Sequence, residues 1–223
     1  MSRALVFLLA LQLTVPGMAC GANDFPCPPS GQPIVVTIEP FNSELTYHFN
    51  YSEADMMLLS GDNVMRASSN VHLRGLATAL YGSKMEFSYY VQKMDAGWCL
   101  APVSVTVQLG FHDVRIYVDS KYQSKSCQRH AVLIHEAKHI GIFYEEMNAG
   151  IPQVYSELNQ AIADAGFPIF TTDLDDGRKY ISDYVSYYTK QGFYRIDQRI
   201  VQRNTALDNP QEYSSIAAMC LNW

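Results

Sequence analysis

His135-Glu136-Ala137-Lys138-His139 puts two imidazoles and a carboxylate where one metal ion could use all three. Residues i and i+4 share one face of an α-helix, so both rings can reach a single cation, and the glutamate between them can take a proton from a water held there. The chemistry this predicts is zinc-assisted hydrolysis, with His135 and His139 as ligands, Glu136 as general base and Zn²⁺ as cofactor. A chain of this length contains the pattern by chance on the order of once in a hundred, so its setting must decide. Ala131-Val132-Leu133-Ile134 precedes it and Ile140-Gly141-Ile142-Phe143 follows, which predicts a largely buried helix and a dry wall for the metal. The competing reading is a helix whose histidines only satisfy polar neighbours.

A catalytic zinc ion takes three protein ligands and keeps one position for water, and the motif supplies two. Glu157 is the preferred third ligand, because an antiparallel return of the next helix would bring it back over the motif. Glu145 is its rival: it stands where the third histidine of a metzincin would, although Gly141 precedes the expected bend and Ile142 occupies it. Asp197 is a more distant candidate. Glu146 shares the histidines' face, but it lies about 10 Å along the axis from His139, too far unless the helix breaks. Lys138 is expected to extend its stem to solvent, away from a cation. His48, His72, His112 and His130 fit core or surface roles better than ligation, and with 15 tyrosines no one of them stands out as an oxyanion donor.

The N-terminus indicates the compartment. Ser2-Arg3, the apolar run Ala4 to Leu11 and then Pro16-Gly17-Met18-Ala19 have the three regions of a secretory leader, and the apolar run is too short to span a membrane. Cys20 is a candidate lipid anchor if it begins the mature chain, although Gly17 replaces the usual aliphatic residue of a lipobox. Cys27, Cys99, Cys127 and Cys220 remain, an even set suited to two disulfides in an oxidising compartment. Of the three pairings, Cys99 with Cys127 and Cys27 with Cys220 are favoured, and Cys127 as a zinc ligand is the alternative. A net charge of -6 argues against a nucleic-acid partner.

These groups need elements to position them. Ile34 to Ile38 is β-branched, and Leu45, Tyr47, Phe49 and Tyr51 alternate with polar residues in the period of a half-buried strand. A short helix follows, with Ser52 as cap and Asp55 three residues on. Further strands are expected near Val71 to Tyr81, Met85 to Met94, Val103 to Leu109 and Val114 to Val118, the last a candidate for aligning an extended substrate. The motif helix should run from Gln128 to Met147 and stop near Asn148-Ala149-Gly150. Pro152 then opens a second helix, and a third follows Asp175-Asp176 with a break at Gly192. Asn209-Pro210-Gln211-Glu212 begins the last as a capping box. The fold class is therefore α+β: a mostly antiparallel sheet in the N-terminal half packed on a helical C-terminal half carrying the zinc helix. Residues 1–19 form the leader and 20–223 a single domain.

Trp98-Cys99-Leu100 before an alternating strand, then Cys127, the H-E-x-x-H helix and Leu207-Asp208-Asn209-Pro210-Gln211-Glu212-Tyr213 before Cys220 form an ordered set. That set resembles a bacterial family of uncharacterised exported proteins, predicted secreted zinc-dependent proteases. The likeness covers roughly residues 40 to 220. It implies a secreted or periplasmic metallopeptidase acting on peptides or envelope proteins, with His135 and His139 as ligands and Glu136 as base. The tail lacks the Thr-x-His-Gly element expected of relatives. A non-catalytic envelope protein with a structural or vestigial metal site is the alternative, and an amidase acting on cell-wall peptide crosslinks is a third reading.

Overall fold

The computed structural model describes residues 27–60 and 73–223. Its elements are β1 (Val35–Asn42), β2 (Thr46–Tyr51), α1 (Glu53–Ser60), β3 (Gly75–Met94), β4 (Gly97–Asp119), α2 (Cys127–Asp164), β5 (Ile169–Thr171), α3 (Leu174–Leu207) and α4 (Pro210–Ala218). The leader and Cys20 lie outside the described residues. Where alternation suggests four short strands, β3 and β4 form one long antiparallel hairpin turning at Asp95-Ala96. A bulge lets this hairpin stay continuous. Val105, Val107, Leu109 and Phe111 are buried on one phase of β4, and Val114, Ile116 and Val118 on the other. An extra residue at Asp113, with φ 56, returns the apolar side chains to the same face.

The sheet is mixed, which corrects the mostly antiparallel expectation. β4 is its spine and pairs along its length with β3; its other edge takes β5 antiparallel and β1 and β2 parallel, in the order β5, β1, β2. Alternation reports which face of a strand is buried but not which way the strand runs. Here β1 and β2 follow one another along one edge, and the return to β4 is made by α1 and β3. The capping reading of α1 holds, with Ser52 N–H donating to Asp55 Oδ2 at 2.8 Å and Asp55 N–H to Ser52 Oγ at 3.3 Å. Val114 to Val118 is an inner segment, flanked by β3 and β2, so it cannot accept a further strand.

The helical half is built from two long helices rather than the shorter ones expected. α2 is 38 residues long and passes through Gly150 and Pro152, and α3 is 34 residues long and passes through Gly192. Proline costs α2 one hydrogen bond, but Val154, Leu158 and Ile162 beyond it remain buried in the shared core, and that holds the helix on course. The glycines are points of contact. A Cβ on Gly150 would lie 2.4 Å from Ile196 Cγ1, and one on Gly192 would lie 2.7 Å from Val154 Cγ2. α2 and α3 are therefore antiparallel and in close approach, each missing side chain filled by a branched residue of the other helix.

Both disulfides differ from the favoured pairing: Cys27 joins Cys99, and Cys127 joins Cys220. The uninterrupted hairpin explains this. Cys99 and Asp119 stand near opposite ends of β4, on the order of 60 Å apart for an extended strand, so Cys99 cannot reach the start of α2. The second bridge instead ties the end of α4 to the first turn of α2, beside the small apolar cluster of Ala131, Ile216 and Cys220. Among the described residues no helix is long and apolar enough to cross a membrane.

Replacing Gly192 with alanine should destabilise the fold by about 1–3 kcal/mol through overpacking, although alanine raises helix propensity by about 1 kcal/mol. Chemical denaturation measures this, and a more stable variant would show that the helices do not meet closely there.

Candidate metal centre

His135 and His139 occupy successive turns of α2 and are 6% and 8% exposed. Their Nε2 atoms stand 3.3 Å apart, and each lies 3.2 Å from Oδ1 of Asp208. These three donor atoms form the one cluster among the described residues that could hold a metal ion. The spacing fits such an ion well: bonds of about 2.0–2.1 Å in tetrahedral geometry set ligand atoms about 3.3 Å apart. Two imidazole lone pairs at this distance also need a shared cation between them, whether a proton or a metal. The ring orientations leave Nε2 available. His139 Nδ1 donates to Asn204 Oδ1 at 2.9 Å, and the buried His135 Nδ1 makes no hydrogen bond, its nearby acceptor Glu212 Oε1 standing 3.5 Å away.

Asp208 arrives through the register of the two long helices. Moving along α2 toward its N-terminus, Gly150 faces Ile196, Glu146 pairs with Arg199, His139 meets Asn204, and His135 meets Asp208. Equal rise in two antiparallel helices keeps this pairing in step over their whole length. Asp208 follows the last residue of α3, where the chain turns into α4. Asn209 caps α4 by accepting from Glu212 N–H at 2.9 Å, as its sequence predicts, but the Glu212 side chain does not close a capping box. It takes Lys138 Nζ at 2.5 Å instead, so Lys138 holds the carboxylate beside His135 rather than extending freely to solvent.

The expected third ligands lie elsewhere. Because α2 does not break at Gly150, Glu157 is on the same helix as the histidines, about 27 Å along its axis from His139. It pairs there with Arg195 and accepts from Gln153 at 2.9 Å. Glu145 pairs with Arg203 at 2.7 Å, and Glu146 accepts from Arg199 and Arg203, both at 2.8 Å. Asp197 lies mid-helix on α3, outside the cluster. His130 is exposed, His48 stacks on Tyr117 at 4.9 Å, and His72 lies outside the described residues. Asp208, Asn204, Glu212 and Tyr213 were missed. Their signal was the Asn-Pro-x-Glu helix start, which fixes a turn directly after Asp208.

Glu136 packs against the start of β3 while lying close enough to His139, His135 and Asp208 to interact with their charges. It is 5% exposed and accepts a backbone hydrogen bond from Ala77, and a Cβ on Gly75 would lie 2.6 Å from its Oε1. Burial pushes its carboxyl up to about 7, against the pull of His139 and His135. Burial would also raise Asp208, but hydrogen bonds from His135 and His139 outweigh it and hold that carboxyl well below the usual range. Tyr213 donates to Asp208 Oδ1 at 3.0 Å, and burial together with the Asp208 charge raises its phenol, so it remains a donor. Its ring packs 5.4 Å from that of His135.

No family model matches the chain, and no curated protein or solved structure is significantly similar to it.

Zinc titration against a competing chelator should show affinity lowered about 10–100-fold by Glu212→Gln and further by Asp208→Ala, with Glu157→Ala unchanged. Normal affinity in the Asp208 variant would remove it from the ligand set. The Glu146 carboxyl is held below its ordinary value by Arg203 and Arg199. Its contribution, about 1 kcal/mol for a partly exposed network, is therefore present above the ordinary glutamate value and lost as pH falls from there through the lowered one. Melting temperatures of the wild type and Glu146→Gln should accordingly differ at pH 7 and draw together as the pH is lowered through the acid range.

Proposed function

We propose that the chain is an exported zinc-dependent peptidase. The observation that carries this reading is the convergence of His135 Nε2, His139 Nε2 and Asp208 Oδ1 at 3.2–3.3 Å, one helical position from a buried glutamate. Two imidazoles and one carboxylate in tetrahedral spacing suit zinc among the common divalent ions. The resemblance to predicted secreted zinc-dependent proteases points the same way. The two disulfides and the leader-like N-terminus support a periplasmic or secreted location.

A bound zinc ion would supply the Lewis acid that polarises a scissile carbonyl and acidifies a water. The chain's own residues do the rest. Glu136, with a carboxyl poised near neutrality, takes the proton from the attacking water and returns it to the leaving amine. Asn204 and Glu212 orient the two rings, and Tyr213 fixes the carboxylate of Asp208. Glu136 accepts from the Ala77 N–H of β3, so a peptide that displaced this contact and lay along β3 would bring its backbone to the base. The second reading, a non-catalytic envelope protein, draws on the same contacts: the His-Asp cluster also staples α2 to the turn between α3 and α4.

The purified mature chain should bind about one zinc ion and cleave members of a peptide library, with purified peptidoglycan as the parallel test of crosslink amidase activity. Glu136→Gln should keep the metal and the fold while lowering turnover by about 10²–10⁴-fold. Full activity in that variant would refute the base, and stoichiometric zinc without turnover of any substrate by the wild type would favour the staple.

A further inference from the structure

A cavity of about 700 Å³ opens at the first turn of α2, lined by Arg74, Lys121, Tyr122, Gln128 and Trp223 among others. Its position bears on the proposed site. Arg74 directly precedes Gly75, the residue of β3 that touches Glu136, and Gln128 lies about 10 Å along α2 from His135. Three extended residues, from Ala77 back to Arg74, cover a similar distance of about 10 Å. The cavity therefore lies at the end of the β3 edge, within about three residues of a bond presented to Glu136.

Its chemistry is cationic and aromatic. The Arg74 guanidinium lies 4.3 Å over the Trp223 ring, and Tyr122 meets that ring edge-on at 6.1 Å. Lys121 is neutralised by Asp119 at 2.8 Å, whereas no carboxylate among the described residues pairs with Arg74. Its guanidinium thus lies against an indole at the mouth of a cavity with no carboxylate partner among the described residues. Its fork of donors matches a carboxylate in shape and charge, and its contact with the Trp223 ring restricts the side chain before one binds.

Building on the peptidase reading, we propose that this cavity is a specificity site selecting peptides that carry a carboxylate within about three residues of the bond cleaved. The carboxylate comes from an aspartate or glutamate side chain or from a free peptide C-terminus, and Arg74 is the residue that reads it.

The test separates the pocket from the chemistry. In the metal-free chain carrying Glu136→Gln and Trp98→Phe, Trp223 is the remaining tryptophan and its fluorescence reports binding. Three peptides are titrated: acetyl-Ala-Ala-Ala-amide, its counterpart with a central glutamate, and acetyl-Ala-Ala-Ala with a free carboxylate. At least one acidic peptide should bind about tenfold more tightly than the neutral one, and the tighter of the two identifies the source. The preference should disappear in Arg74→Gln and weaken in Arg74→Lys, which keeps the charge without the fork, while an unchanged melting temperature of the Gln variant shows that its loss is not one of folding. Equal binding of all three, or an undiminished preference in Arg74→Gln, overturns the proposal. Preferential binding by a wild-type chain that hydrolyses nothing would sink the peptidase reading and leave the pocket standing. Hydrolysis indifferent to acidic residues, with no binding preference, would do the reverse.

Discussion

The site depends on the antiparallel register of α2 and α3. Each helix supplies something the other cannot: α2 carries both imidazoles on one face, and α3 carries the chain back far enough to place a carboxylate against them. The pairing is fixed well away from the site, where Gly150 admits Ile196 and Gly192 admits Val154. Close packing at those points allows little sliding, because a shift of one residue would drive a branched side chain into a helix backbone. Asp208 is thus positioned by steric contacts about three to four turns away. The Arg199 and Arg203 pairs to Glu146 and Glu145 lie between those contacts and the site and reinforce the same alignment.

The turn after α3 needs its own restraint, since a side chain at a helix end moves with the fraying of that end. Here α4 is held at both termini. Asn209 caps its start, and the Cys127–Cys220 bridge fastens the chain just past its last residue to the first turn of α2. A cross-link over 93 residues of sequence limits the unfolded chain by about 4.6 kcal/mol in the entropic account, and here it also spans the site. Glu212 and Tyr213 sit on the restrained helix, one beside His135 Nδ1 and one on Asp208 Oδ1. Lys138, which would be unwelcome near a cation, is drawn off by Glu212, and the ion pair joins α2 to α4 on the exposed side of the motif.

Local chemistry was legible in the sequence, and long-range geometry was not. The spacing of His135, Glu136 and His139 told correctly that two rings share a buried face, because i to i+4 neighbours need no knowledge of the rest of the chain. The caps at Ser52 and Asn209 were readable for the same reason. Gly150, Pro152 and Gly192 misled, because a glycine that ends a helix and one that lets two helices touch look alike in one dimension. Treating Gly150 as a stop moved Glu157 onto a separate helix and made it the natural third ligand. The broken hairpin did the same for the cysteines: once β3 and β4 are read as four strands, nothing keeps Cys99 from approaching Cys127. Strand direction in β1 and β2 was beyond reach of any alternation pattern.

Polar burial makes a final point. His135, Glu136 and His139 are three of five buried polar or charged side chains among the described residues, all on adjacent turns of one helix. Apolar residues of the same size would pack there without loss of hydration, so stability alone does not account for them. Asp119 and Thr189, the other two, are satisfied in ordinary ways: Asp119 by Lys121, Thr189 by the Val185 carbonyl. The motif residues instead bring two lone pairs and a carboxylate oxygen to one point and set a second carboxylate against a strand edge. A divalent cation at that point would neutralise the converging donors together, turning a costly arrangement into a bound one. The same burial that makes Glu136 unfavourable as a fixed charge suits it to exchanging a proton near neutral pH.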